Sequence, residues 1–426
     1  MKKEFCFFSI LILLTIPFVF VEENFAQTKK IEEVEIAVLT GLTGITAPWG
    51  QQVQRMATLI EKEASEAGGM RELGGAKLKI KIYDTESKPT VAATEAQKAI
   101  HTTKAAILMG CVQSAAGATA SEQAERFGIP FVDFGDNLPR LTQRGFKYFF
   151  RTCPTSDDFV DDSIRYLQWI TKKTGASPAN NKAAIMVVDE PTGIADGNRY
   201  EQMIPKTLGW EITERVNYPR TVADFTPWLS KFKEKKINFI LRKTYTHDAM
   251  LLTQQLIELD YNLLGIHGVT GGDYNREYYD VLKEKSEYTS VINYNSPFLK
   301  IKGLKELNDK FKKLYGNDIE CHELSFAIGI SVALDAIKRA GSLDHEKIVQ
   351  ALRETDISSN RVYYEEGKWW FCVPDGCKFD NTGQNTRVRS VTTQWRSGKL
   401  LPIHPPEYAA VEAVWPKPTW KAMGVR

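Results

Sequence analysis

The sequence lacks the spacing that metal centres and the common nucleophilic enzymes need. Its six histidines, at 101, 247, 267, 322, 345 and 404, never pair four residues apart or beside a Cys-x-x-Cys, which argues against a zinc site. His322-Glu323 has no second histidine of a zinc protease. There is no Walker loop and no Gly-x-Ser-x-Gly elbow, and the glycines at 41–44 and 268–272 do not form a dinucleotide fingerprint. An excess of one charge is also missing. The 55 basic and 53 acidic residues leave a formal charge of +2, too small a field to draw the chain onto nucleic acid or acidic lipid. Past the N-terminus no apolar run is long enough to cross a bilayer. What remains is a chain of 426 residues, 43% hydrophobic and 25% charged, long enough for two large globular units. Binding without catalysis is the reading these absences favour, with no metal and no cofactor.

The first residues are the exception to this average composition. Lys2 and Lys3 precede an apolar stretch over 5–21, and Glu22-Glu23-Asn24 then opens a polar region. This is the pattern of a secretory signal peptide spanning 1–26, cut near Ala26, which places the mature chain in the periplasm. An uncleaved N-terminal anchor with the body facing outside is the alternative. Export also bears on the cysteines. Cys372 and Cys377 flank a Val-Pro-Asp-Gly turn, so a disulfide across a small hairpin is expected, while Cys111, Cys153 and Cys321 stay unassigned.

From residue 34 onward β-type apolar runs alternate with helical patterns, the signature of βαβ units and parallel sheets. Strands are expected at 34–39, 78–83, 105–109 and 129–134, with helices at 51–67, 89–101 and 114–127 between them. The pattern restarts near 151–154. Thr155 or Ser156 caps a helix whose first turns hold Asp157, Asp158, Asp161 and Asp162. These acids fit a helix start better than a calcium loop, because Phe159, Val160 and Ile164 interrupt them at helical spacing. Further strands are expected at 183–188, 211–216, 239–241 and 264–266, with helices at 197–208, 225–235 and 246–259. The fold class is α/β, with two similar doubly wound lobes and a cleft between them.

Ligands of open α/β sheets bind beyond the carboxyl ends of the strands, where helix N-termini present free amides. In the first lobe the loops 40–50, 110–117 and 135–141 occupy that position. Ser114 offers a hydroxyl and amides suited to a carboxylate, or serves as a simple helix cap. At these loops the sequence resembles the solute-binding proteins of branched-chain amino-acid-type (leucine/isoleucine/valine-binding-like) ABC transporters. The likeness runs through Ile36 to Gly44, Trp49-Gly50, Gly110 to Ser114, Gly117-Ala118-Thr119, Gly128-Ile129-Pro130, Leu141 to Gly145 and Phe149 to Thr152. It continues at Asp224-Phe225, Gly316 and the segment 333–341.

The resemblance implies a type I two-lobed periplasmic binding protein that closes on a small-molecule solute and presents it to ABC permease subunits, as a monomer and not as an enzyme. It makes Ser114 the carboxylate donor, Asn137 with its neighbour Asp136 the second donor position, and Trp49 and Tyr245 the aromatic lids. The position of the acid that clamps a ligand ammonium is Thr270 here, with Asp273 three residues on. Arg242-Lys243-Thr244 replaces small or neutral residues at a strand end, so Arg242 is expected to grip an anionic group. These departures point to a carboxylate-bearing solute, aromatic or dicarboxylic. An amino acid remains the alternative if Asp136 or Asp273 takes the ammonium. Lobe 1 is expected at 31–152 and 295–357, lobe 2 at 153–294 and 358–400, and a Pro/Trp-rich extended tail at 401–426. A sensor ectodomain of the same fold is the competing function.

Overall fold

A computed structural model of the chain describes residues 31–175, 181–358, 361–363, 371–373 and 375–425. The expected signal segment and its cleavage point lie outside them. Nearly continuous apolar runs form strands covered on both faces, as parallel sheets require. The first layer is built from β1 (Glu33–Thr40), α1 (Ala47–Glu66), β2 (Lys77–Asp84), α2 (Pro89–Thr102), β3 (Ile107–Gly110), α3 (Ser114–Phe127), β4 (Phe131–Asp133) and β5 (Phe149–Arg151). Its parallel strands run in the order β2-β1-β3-β4-β5. Ala92, Ala96 and Ala99 of α2 share one buried cluster with Ala116, Ala120 and Ala124 of α3. Small side chains four apart let these two helices approach each other and the sheet closely.

The second layer begins with α4 (Ser156–Thr174), whose Thr155 hydroxyl accepts the Asp158 amide at 3.1 Å in a capping box. It continues through β6 (Lys182–Val188), α5 (Pro191–Leu208), β7 (Glu211–Tyr218), α6 (Thr226–Glu234), β8 (Phe239–Lys243), α7 (Thr246–Glu258), β9 (Gly265–Val269), α8 (Arg276–Leu282) and β10 (Ser290–Asn293). Helices α1 and α5 start earlier than the periodicity predicts, because a proline stands in the first turn of each, where its fixed φ suits a helix start.

The chain then returns to the first layer as α9 (Leu304–Tyr315), α10 (Cys321–Ala340) and α11 (His345–Arg353), with Phe326 of α10 edge-on to Phe134 at 5.3 Å. The short strands β11 (Asp356–Ile357), β12 (Arg361–Tyr363), β13 (Phe371–Val373) and β14 (Cys377–Lys378) follow. The stretch from 358, expected with the second lobe, runs first beside the first sheet. Gln384 bridges to Arg151, and Phe379 packs on Phe150 at 5.2 Å. Only β15 (Val391–Arg396) and β16 (Lys399–His404) join the second sheet, by antiparallel pairing, to give the order β16-β15-β10-β9-β8-β6-β7. The last residues lie along this second layer. Trp415 packs on Phe239 at 5.4 Å, and the Trp420 indole donates to the Tyr261 carbonyl at 3.0 Å.

Cys377 is a free, buried thiol in β14, which pairs with β11. The side chain of Cys372, its expected disulfide partner, lies outside the described residues. Cys111, Cys153 and Cys321 are also free and buried, and burial pushes all four described thiols above the usual range. No helix among the described residues is long and apolar enough to cross a membrane.

Candidate functional site

The carboxyl ends of both parallel sheets face one cleft, lined by residues from both layers. In the first lobe the turn after β3 delivers Gln113, Ser114 and Ala115 to its wall, and the turn after β4 delivers Gly135 and Asn137. Ser114 is the first residue of α3, where helix amides have no intrahelical partner. Its Oγ accepts the Leu138 amide at 3.3 Å, which ties the two turns together and leaves the hydroxyl proton to donate. Asn137 donates through Nδ2 to the Tyr294 hydroxyl at 3.4 Å, and that hydroxyl donates to the Gly135 carbonyl at 2.7 Å.

From the second lobe, β8 ends in Lys243 at the cleft, Thr244 and Tyr245 follow it, and Thr270 follows the end of β9. Trp49 of α1 stacks on Tyr245 with ring centroids 5.4 Å apart, so the two expected lids meet across the cleft. Thr270 has φ 50°, the left-handed region that non-glycine residues rarely adopt. Its hydroxyl accepts the Lys243 ammonium. Trp49, Ser114, Asn137, Tyr245 and Thr270 therefore line one cavity.

Three expected site residues do not. Arg242, fully buried, points away from the cleft and forms an ion pair with Asp273, its Nε donating to Oδ1 at 2.8 Å. It also donates to Thr253 at 3.2 Å and Tyr278 at 3.0 Å. Asp273 is consumed by the same pair and by the Thr244 hydroxyl at 2.9 Å, so it offers nothing to an ammonium. Asp136 lies behind the Ser114 turn, where Oδ2 accepts the Cys111 amide at 3.0 Å. Burial raises its carboxyl to about 6, against the pull of that amide.

The structure adds residues that the sequence reading passed over. Glu190, two residues past the end of β6, lines the cleft and accepts the Tyr245 hydroxyl at 2.8 Å. Arg220 pairs with Glu190 and places its guanidinium 5.5 Å from the Tyr245 ring centre. With the Gln113 amide oriented so that its oxygen faces the guanidinium, Arg220 donates to it at 2.7 Å, which links the second lobe to the first. His322 and Tyr274 complete the aromatic wall, Trp49 being 5.3 Å from the His322 ring and 6.3 Å from Tyr274. Burial lowers His322 to about 3, so the ring is neutral. Glu190 could have been found from its place two residues past a strand end. Arg220, Tyr274 and His322 come from segments with no such signal. Lys243, seen in the sequence only as the partner of Arg242, faces the cleft and pairs with the fully buried Asp196 of α5 at 3.2 Å.

Comparison with known proteins agrees with this architecture. Residues 33–385 match the family described as periplasmic binding protein. A Leu/Ile/Val-binding protein homolog 8 from Brucella suis is 26% identical over 396 residues, covering 91% of this chain and 94% of the relative. Among solved structures, the leucine-binding protein LivK of Thermotoga maritima superposes with a TM-score of 0.72 at 22% identity, covering 87% of this chain and 97% of that one. A solute-binding protein of an ABC transporter from R. palustris, solved with benzoate, gives 0.73 at 15% identity, covering 89% and 98%.

Proposed function

The chain belongs to the periplasmic binding protein family and is a solute-binding protein; from that premise we propose that it closes its two lobes on a small carboxylate-bearing solute for delivery to an ABC permease. The observation that carries the ligand class is the Ser114 turn. A hydroxyl with a proton to give and the open amides of α3 face a cleft whose other wall is Lys243, Thr270 and Tyr245. A carboxylate is the group that such a turn complements.

Closure follows from the divided walls. Trp49 and Tyr245 stack across the cleft, and Arg220 reaches Gln113, so these contacts exist only when the lobes are together. A solute that touches both walls shifts the balance toward that state by its extra contacts there. The lobes are taken to move about the three crossings between layers. The same reading has the mature chain, cut near Ala26, work in the periplasm as a monomer.

Ser114→Ala tests the ligand reading. The variant is expected to bind its carboxylate solute about 10- to 100-fold more weakly, the worth of one hydrogen bond to a charged group, with little change in thermal unfolding. Calorimetric titration reads the loss. Unchanged affinity for every carboxylate solute would remove this turn from the binding site.

A further inference from the structure

Resting on the reading of Ser114 as the carboxylate site, we propose that the solute is an aromatic carboxylate without an ammonium group, and that Lys243 sets this selection. A bound ammonium removed from water needs an available carboxylate. Near this cleft Asp273, Asp196 and Glu190 are each paired with a cation, and Asp136 points away from it. Asp273 is held by Arg242 and Thr244, and Asp136 is turned to the back of α3 by the Cys111 amide. Asp196 is held by Lys243. Glu190, which does line the cleft, is held by Arg220 and the Tyr245 hydroxyl. The face of Tyr245, where a cation could rest, already has Arg220 at 5.5 Å.

What faces the solute from the second lobe is a cation. Lys243 lines the cleft, with one N–H on Thr270 and its charge beside Asp196. An ammonium has three donors, so one remains for an acceptor on the solute. Thr270, already accepting from Lys243, has its hydroxyl proton to give. Beside the Glu190 carboxylate, which Arg220 pairs, the lining holds the aromatic side chains Trp49, Tyr245, Tyr274 and Tyr294 and the neutral His322. Two polar atoms of that wall, Trp49 Nε1 and His322 Nδ1, are buried with no partner among the described residues. A flat ring with a carboxylate toward Ser114 and an oxygen toward Lys243 matches this lining. An α-ammonium would meet Lys243 and Arg220 with no counter-ion.

Matched acids that differ only in the ammonium test this on the full mature protein: L-phenylalanine against 3-phenylpropionate and L-leucine against 4-methylpentanoate, with benzoate and 4-hydroxybenzoate alongside. Titration calorimetry is expected to show the deaminated member binding at least ~10-fold more tightly in each pair, and 4-hydroxybenzoate more tightly than benzoate. Lys243→Met combined with Asp196→Asn removes the ion pair without leaving a buried carboxylate, and thermal unfolding reports whether it is folded. In that variant both preferences are expected to shrink to within about threefold. Lys243→Thr is the second variant should the first not fold. Tighter binding of either amino acid than of its deaminated partner overturns the proposal, as does an unchanged preference in the folded variant or no binding of any benzoate at millimolar concentration. If amino acids bind and Ser114→Ala weakens them, the carboxylate reading stands and this inference alone fails. If Ser114→Ala weakens nothing, the underlying reading fails.

Discussion

Arg242→Ala is expected to lower the unfolding free energy by about 3–5 kcal/mol, the range for breaking one side of a buried ion pair. Both side chains of the Arg242–Asp273 pair are fully buried, so alanine leaves the Asp273 carboxylate in the interior without its cation. The loss spreads, because this network fastens several elements. Arg242 extends from β8 to Thr253 of α7 and Tyr278 of α8, and the Asp273 carbonyl accepts the Trp395 indole of β15 at 2.7 Å. Lysine at 242 restores a charge but not the planar fork, so it is expected to recover only part of the stability. Urea unfolding followed by tryptophan fluorescence reads the effect. Among molecules that remain folded, solute affinity is expected to change little. A stable Arg242→Ala protein with lost affinity would return this arginine to the binding site.

The second large effect is expected at Gly117, on the other wall. A methyl group at this position would stand 1.6 Å from Asp136 Oδ2 and 2.5 Å from its Cγ, far inside van der Waals contact. The carboxylate cannot swing freely, because it is buried and accepts the Cys111 amide. Gly117→Ala therefore either displaces Asp136 or lifts the first turn of α3, and Ser114 moves with that turn. The expected result is about 1–3 kcal/mol of lost stability, the range for overpacking, together with at least tenfold weaker solute binding. Adding Asp136→Ala opens the space, so the double variant is expected to regain affinity relative to Gly117→Ala alone. A double-mutant cycle measures the coupling. Additive effects would show that the two residues do not compete for the same space.

Much of the architecture was legible in the sequence because it depends on local pattern. The run Ile36-Ala37-Val38-Leu39 is buried on both faces of β1, and Thr155 with Asp158 marks the start of α4. The candidate site was partly legible for a related reason. Ser114 follows a strand end, a position that an open α/β sheet presents to a ligand. Asn137, Tyr245 and Trp49 came from family likeness.

The residues after β8 show where sequence ends and tertiary structure begins. Arg242 and Lys243 are adjacent cations at a strand end, and alternation requires their side chains to take opposite faces of the sheet. The sequence determined that much: a parallel sheet, a strand ending at the cleft, and two charges divided between its faces. It did not determine which face meets α7 and α8 and which meets α5 and the solute. Asp273 lies 31 residues beyond Arg242, and Asp196 lies in α5, so both counter-ions come from distant segments. Only the packing of those segments sends Arg242 to Asp273 in the interior and leaves Lys243 at the cleft, because a buried charge must go where its partner is.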